Sequence, residues 1–414
     1  MKLLVDVHCH VMTLARPAIT PFLAALGKRG LEALYSQVAA PGYLLMSLFR
    51  RGTKGAGALL AVMENDPAGL LGVVEDDLRG VFRVADSPPA VAEGSPAGID
   101  FFGQRMDRWL LAPLVMDFSR EIGARSDDYY ARPPRKPLRE AVLEMLAGIA
   151  RYRRERPDGL LVVRPFLGID PAAHGPTETE ALLDRYFSGF ERGRKAQLSA
   201  FHRTQRWSGD PERPPANAFA GVKLYPPLGF HPWPREPSAR DAVSVLYRFC
   251  EPRGIPLTVH CDDQGYRSVG IEEALQATDP AAWAPVFAEH PDLVVDFAHF
   301  GERYLPPGQG ETPDSWTRAI VGLMRRLPGV YADVSFNGSD PAYWNRLARF
   351  LDDLTLVDAD EVRKRLLFGT DFFLNLTKTR SYLDYVRGFM DGPLDRELVR
   401  AMMTTNPKRF LFGE

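Results

Sequence analysis

Six residues of this chain could do chemistry together: His8, His10, Lys223, His260, His299 and Asp371. The first two close the apolar run Leu3-Leu4-Val5-Asp6-Val7 as His8-Cys9-His10. Side chains on a β-strand alternate between faces with a period of two. His8 and His10 therefore point the same way, and Cys9 points the other. Two imidazoles on one face can chelate a single metal ion, and histidine is the commonest metal ligand. Alone the pair is a weak signal, served equally well by two ordinary histidines near a chain end. The other four strengthen it, because they sit at the ends of short apolar runs. His260 closes Leu257-Thr258-Val259, His299 closes Val294-Val295-Asp296-Phe297-Ala298, and Asp371 closes Leu366-Leu367-Phe368-Gly369-Thr370. Lys223 nearly ends the run over 218–225.

The elements that carry these residues alternate. Strand patterns fall at 3–10, 110–118, 160–166, 218–225, 256–260, 293–299, 330–336 and 366–371. Helical spacing fills most of the gaps, at 138–154, 179–201, 239–251, 280–289, 315–326 and 342–354. Strands alternating with helices point to a parallel sheet, and eight such units to a closed (β/α)8 TIM barrel. No Gly-x-Gly-x-x-Gly follows a strand, which argues against dinucleotide binding. In such a barrel the C-terminal strand ends converge on one mouth, where active sites are built. Any single histidine there could be a hydrogen-bonded structural one. Four of the eight histidines plus a carboxylate at one mouth point instead to a metal centre.

Residues 11–110 break the pattern. Helical-looking pieces at 21–39 and 41–63 and a Pro-, Ala- and Ser-rich loop at 85–98 make a long, mostly helical insertion after strand one. An insertion directly after a site-bearing strand reads as a cap over the mouth. A separate helical appendage is the duller reading. The expected organisation is one barrel domain over 1–414, with 11–110 as its cap.

The motif set resembles the amidohydrolase superfamily: Asp6-x-His8-x-His10 on strand one, Gly221-x-Lys223 on strand four, His260, His299 and Gly369-Thr370-Asp371. Gly221-Val222-Lys223-Leu224-Tyr225-Pro226, Val330-Tyr331-Ala332-Asp333-Val334-Ser335 and Asn406-Pro407-Lys408-Arg409-Phe410-Leu411 resemble its amidohydrolase 2 branch, which includes decarboxylases of aromatic acids and lactonases. The resemblance covers strand one and about 218–412 and leaves 11–110 unmatched. It implies one divalent ion, zinc by preference, held by His8, His10, His260 and Asp371. Nitrogen and oxygen donors with a position left open for water suit a catalytic zinc. Asp371 would take the water's proton and pass it to the leaving group. His299 would polarise the substrate oxygen that gains charge. Lys223 would meet a substrate carboxylate or, in a binuclear variant, be carbamylated and bridge two ions, with His260 and His299 on the second.

Other polar residues carry weaker readings. Arg164, at the end of strand three, suits an anionic substrate group or a structural salt bridge. His231, after strand four, could line the mouth. Asp6 shares the face of His8 and reads as a partner of the ligands or as a barrel-floor carboxylate. Asp333 reads as a barrel-interior residue. Cys9 and Cys261 read as packing residues.

Composition sets bounds on partners. A net charge of −2 gives no reason to expect nucleic acid or an acidic membrane. The three cysteines, Cys9, Cys250 and Cys261, fit no disulfide framework, and the start of the chain shows no leader pattern, so a cytoplasmic protein is expected. The partner expected is a small-molecule substrate; barrels of this kind often pair into homodimers. The reaction expected is hydrolysis of an amide, lactone or ester by metal-activated water. A non-oxidative decarboxylase of an aromatic or unsaturated acid would use the same residues, and a catalytically silent metal-binding barrel is the third alternative.

Overall fold

The computed structural model describes residues 1–16, 54–80, 99–119, 137–305 and 312–414. The expected helix at 21–39 and the loop at 85–98 lie outside these residues.

Eight parallel strand positions follow one another in chain order around a single sheet. They are β1 (Leu3–Cys9), β2 (Arg108–Val115), β3 in two pieces (Leu161–Val163 and Phe166–Gly168), β4 (Gly221–Leu224), β5 (Leu257–Val259), β6 (Val295–Phe297), β7 (Val330–Asp333) and β8 (Leu366–Leu367). Val7 N donates to Phe368 O, Thr370 N donates to His8 O, and Cys9 bridges Phe372 in parallel. These bonds bring β8 round to β1, so the sheet closes into a (β/α)8 barrel. The strands are near-continuous apolar runs because both faces are covered, one by the barrel interior and one by helices. Every residue of β1 is buried, and each Leu or Val so placed contributes about 1.5–3 kcal/mol.

Three strands differ from their sequence boundaries, each for a local reason. β3 breaks at Arg164-Pro165, where proline has no N–H to give the ladder. β6 ends at Phe297 because His299 and Phe300 take left-handed backbone angles, φ 63° and 50°. β8 leaves the ladder after Leu367, although its backbone continues against β1 to Asp371. Gly369 permits that close passage, since a Cβ there would stand 2.7 Å from His8 Cβ and 3.0 Å from Ser335 Cβ.

The insertion is not uniform. Helix Pro67–Leu78 starts at the N-cap Asp66, which accepts from Gly69 N, with Pro67 in the first turn. It packs between helices Leu138–Glu155 and Tyr382–Met390. That is the place of the helix following the first strand, so this segment belongs to the barrel ring and not to a cap. Its Glu75 is buried and accepts from Tyr152 Oη (2.6 Å) and Leu160 N (2.8 Å), while Asp77 accepts from Leu383 N (2.7 Å). Helix Lys54–Met63, the described end of the piece expected at 41–63, rests instead on residues 374–377, just beyond Asp371. Residues 99–106 form a small antiparallel hairpin (Ile99–Phe101 with Gln104–Met106) where helical spacing gives no hint of strands. Its two-residue turn, Phe102-Gly103, has both φ values positive (51° and 74°), matching the twist of the paired strands.

Candidate metal centre at the barrel mouth

His8, His10, Lys223, His260, His299 and Asp371 are all buried, at 5% exposure or less. Asp371 stands just past β8 with φ 55°, and its amide donates to His8 O (2.8 Å). This places its carboxylate beside the first strand: Oδ1 lies 3.3 Å from His8 Nε2 and 3.1 Å from His10 Nε2. Left-handed backbone at His299, Phe336 and Asp371 marks the ends of β6, β7 and β8. Such angles cost non-glycine residues of order 1–3 kcal/mol each and cluster at functional sites.

The other ring nitrogens of the pair are committed elsewhere. His8 Nδ1 lies 2.8 Å from Asp333 Oδ2, and His10 Nδ1 lies 3.2 Å from Leu114 O. A carbonyl can only accept, so His10 carries its proton on Nδ1 and leaves Nε2 as a lone-pair donor. Asp371 Oδ1 is buried and accepts no hydrogen bond. Three ligand atoms therefore converge, two of imidazole and one of carboxylate, with their outward nitrogens held by neighbouring groups in the manner of metal ligands. This donor set fits a divalent ion such as zinc.

His260 forms a second group. Its Nδ1 lies 3.2 Å from His299 Nε2, and its Nε2 lies 3.0 Å from Asp262 Oδ1. Asp262 Oδ2 stands 3.9 Å from His299 Nε2. The four residues expected around one ion are thus divided: His8, His10 and Asp371 face one another, whereas His260 faces His299 and Asp262. Asp262 was missed by the sequence analysis. The signal was present, since His260-x-Asp262 repeats the spacing of His8-x-His10. The loop that follows folds back on His260 through Gly265 (φ 91°), where a Cβ would meet the Tyr225 hydroxyl at 2.4 Å.

The charges are arranged by burial and by pairing. Burial alone would depress the His8 imidazolium, but Asp333 and Asp371 outweigh it and hold its pKa at about 9. Burial lowers His10 and His299, only partly offset by nearby carboxylates. Asp371 is held well below the usual carboxylate range: burial opposes this, and the two histidines overcome it. Asp262 falls to about 2, against burial, through His260 and His299. Lys223 is fully buried and pushed down to about 8, with Asp333 and Asp371 resisting the shift. Its Nζ lies 5.9 Å from the Tyr225 ring centre, and that ring sits 4.6 Å from the His260 ring.

Asp6 departs from its expected place on the face of His8. β1 carries a register shift between Asp6 and Cys9, three residues advancing against two on β2, which breaks the period of two. Asp6 instead accepts from Thr370 Oγ1 (2.7 Å) and Tyr382 Oη (2.9 Å), tying β1 to the chain that carries Asp371. Asp333 lies in the barrel interior as expected. Two expected substrate contacts are not brought to this cluster. Arg164 is buried and gives its guanidinium to Gln197 Oε1 and to Asn217 O (2.7 Å). His231 accepts from Trp233 N (3.0 Å) within its own loop. Cys9 and Cys261 are buried and belong to the apolar core.

Residues 212–413 match the model of the Amidohydro_2 family, described as amidohydrolase. Over these residues, just under half of the chain, the sequence is similar to the amidohydrolase 2 branch of the amidohydrolase superfamily. Solved structures similar along almost the whole chain include an uncharacterized TIM-barrel protein from Bordetella bronchiseptica, at 14% identity over 99% of this chain and 98% of that one, TM-score 0.42. Amidohydrolase 2 from Bifidobacterium longum subsp. infantis is 12% identical over 99% of both chains, TM-score 0.38. An amidohydrolase from Burkholderia multivorans with bound zinc is 13% identical over 99% of both, TM-score 0.41. No curated protein sequence matches the chain. The amidohydrolase match contains Lys223, His260, His299 and Asp371, while His8 and His10 lie before it. Among the described residues, no helix is long and apolar enough to cross a membrane.

Proposed function

We propose that this chain is a metal-dependent hydrolase acting at the carbonyl carbon of an amide, lactone or ester. The observation that carries this reading is the convergence of His8 Nε2, His10 Nε2 and Asp371 Oδ1, the last buried with no hydrogen-bond donor. These three would hold a divalent ion, zinc by preference, with His260 as the fourth donor that the family resemblance implies. When bound, such an ion supplies Lewis acidity and brings a water's pKa towards about 7.

The chain's own residues would do the rest. The Asp371 carboxylate, kept ionised by its two histidines, accepts the attacking water's proton and returns it to the leaving group. His299, facing His260 across 3.2 Å, would polarise the substrate oxygen that gains charge once its Nε2 carries a proton. Asp262 orients His260 through its 3.0 Å contact. Lys223 binds a carboxylate of the substrate. Helix Lys54–Met63, seated beside the loop after β8, forms part of a cap over the mouth.

A decarboxylase reading draws on one feature, the buried Lys223 ammonium beside the Tyr225 ring, which would suit the carboxylate of an unsaturated or aromatic acid. Zinc-loaded protein should be offered matched panels of lactones, esters and amides on one side and aromatic acids on the other. Hydrolysis without carbon dioxide release supports the hydrolase; carbon dioxide release from an acid replaces it with the lyase.

A further inference from the structure

Ser335 lies two residues beyond Asp333, where the chain leaves β7, and is completely buried. Its Oγ stands 2.9 Å from His8 Nδ1 and 3.0 Å from His299 Nδ1. It also bonds to Asp333 Oδ1. One hydroxyl thus touches a member of each histidine group. Ser335 closes the run Val330-Tyr331-Ala332-Asp333-Val334-Ser335, which gives it no role of its own, and the mechanism above does not use it.

We propose that Ser335 is a positioning residue that holds the His8 and His299 rings together by their Nδ1 sides, so that each ring turns Nε2 to the site. This rests on the reading of the mouth as a metal centre. A serine hydroxyl has one proton to donate and two lone pairs to accept with. Asp333 Oδ1 also receives Ser335 N (2.9 Å) and His299 N (3.1 Å), so it is the acceptor of the serine proton. The serine lone pairs are left to face the two Nδ1 atoms, which must therefore both be N–H. The other contacts agree: His8 Nδ1 reaches Asp333 Oδ2 at 2.8 Å, and His299 Nδ1 reaches Ser335 O, a carbonyl that can only accept, at 3.0 Å.

The two rings are consequently linked. Without the hydroxyl, His299 Nδ1 keeps a single acceptor and Asp333 loses a donor, and the His8 ring loses one of its two supports. Groups that orient metal ligands typically change metal affinity about 10–100-fold when removed.

The test uses the full chain labelled with [15N]histidine, together with zinc titration against a competing chelator. In metal-free wild type the His299 nitrogens should show the Nδ1–H form. Ser335→Ala, which keeps the main-chain carbonyl and with it the Nδ1–H form, should weaken zinc binding about tenfold or more, and Ser335→Thr, which keeps the hydroxyl, should restore it. Wild-type His299 in the Nε2–H form would overturn the proposal, even if the alanine variant does not fold. So would an alanine variant with unchanged zinc affinity, or a threonine variant that folds and does not rescue it. If the wild type binds no zinc, the metal reading fails by itself, and the Nε2–H pattern of His299 would still overturn the role of Ser335.

Discussion

His10 Nε2 lies 3.1 Å from Asp371 Oδ1, across the seam where the last strand of the barrel meets the first. The two residues are far apart in sequence, and closure of the barrel makes them neighbours. Asp371→Asn keeps the shape of the side chain but removes the charge and the proton acceptor. It is predicted to lower turnover by at least about 10²-fold, the usual contribution of a positioned base, with an unchanged circular dichroism spectrum. Full activity in this variant would remove Asp371 from proton transfer.

Asp262 gives a second prediction. Its carboxylate faces His260 and His299 together, so Asp262→Asn should leave one ring nitrogen of His260 without its charged partner. Activity should fall about tenfold or more, on the scale of groups that orient metal ligands. An Asp262→Asn enzyme with wild-type kcat and KM would make the contact incidental.

The placement of helix Pro67–Leu78 in the barrel ring is open to a stability measurement. Glu75→Ala would leave the Tyr152 hydroxyl and Leu160 N–H buried without their acceptor. Each such group costs about 1–3 kcal/mol, so urea unfolding should show a loss of about 2–6 kcal/mol. A loss near zero would mean that the helix does not belong to the cooperative core.

A pH dependence follows from His174, which lies 2.7 Å from Asp117 at the rim. Burial opposes its charge, but Asp117 and Glu178 raise its pKa above the ordinary value of 6.5. A histidine raised on folding adds stability that is complete below the unfolded value and fades as pH climbs through the folded one. The stability difference between wild type and His174→Gln should therefore be larger at pH 5.5 than at pH 9, by chemical denaturation. An equal difference at both values would mean that the pair carries no charge interaction.

Much of the site was legible because chemistry-bearing residues closed apolar runs: His8, His10, His260, His299 and Asp371 needed only the barrel to be gathered. What escaped was fixed by geometry that no local pattern carries. Asp262 lies beyond its strand, where acidic residues are ordinary. Asp6 was misplaced because a bulge broke the alternation on β1. Arg164 ends a run as a ligand would, yet the Pro165 break accompanies a side chain bound to Gln197 and Asn217. Helix Pro67–Leu78 carries ordinary start signals, but its long separation from β1 hid that it completes the first β/α unit.

The most direct test of the metal centre is elemental analysis of protein prepared without chelators and supplied with bicarbonate, alongside a His8→Ala, His10→Ala double variant. At least one equivalent of zinc or a similar ion per wild-type chain, and little in the variant, is the predicted result. Two equivalents would assign the second to the His260 and His299 side, with Lys223 carbamylated or Asp262 as its anionic ligand. Equal metal in both proteins, or none in the wild type after reconstitution, would contradict the account.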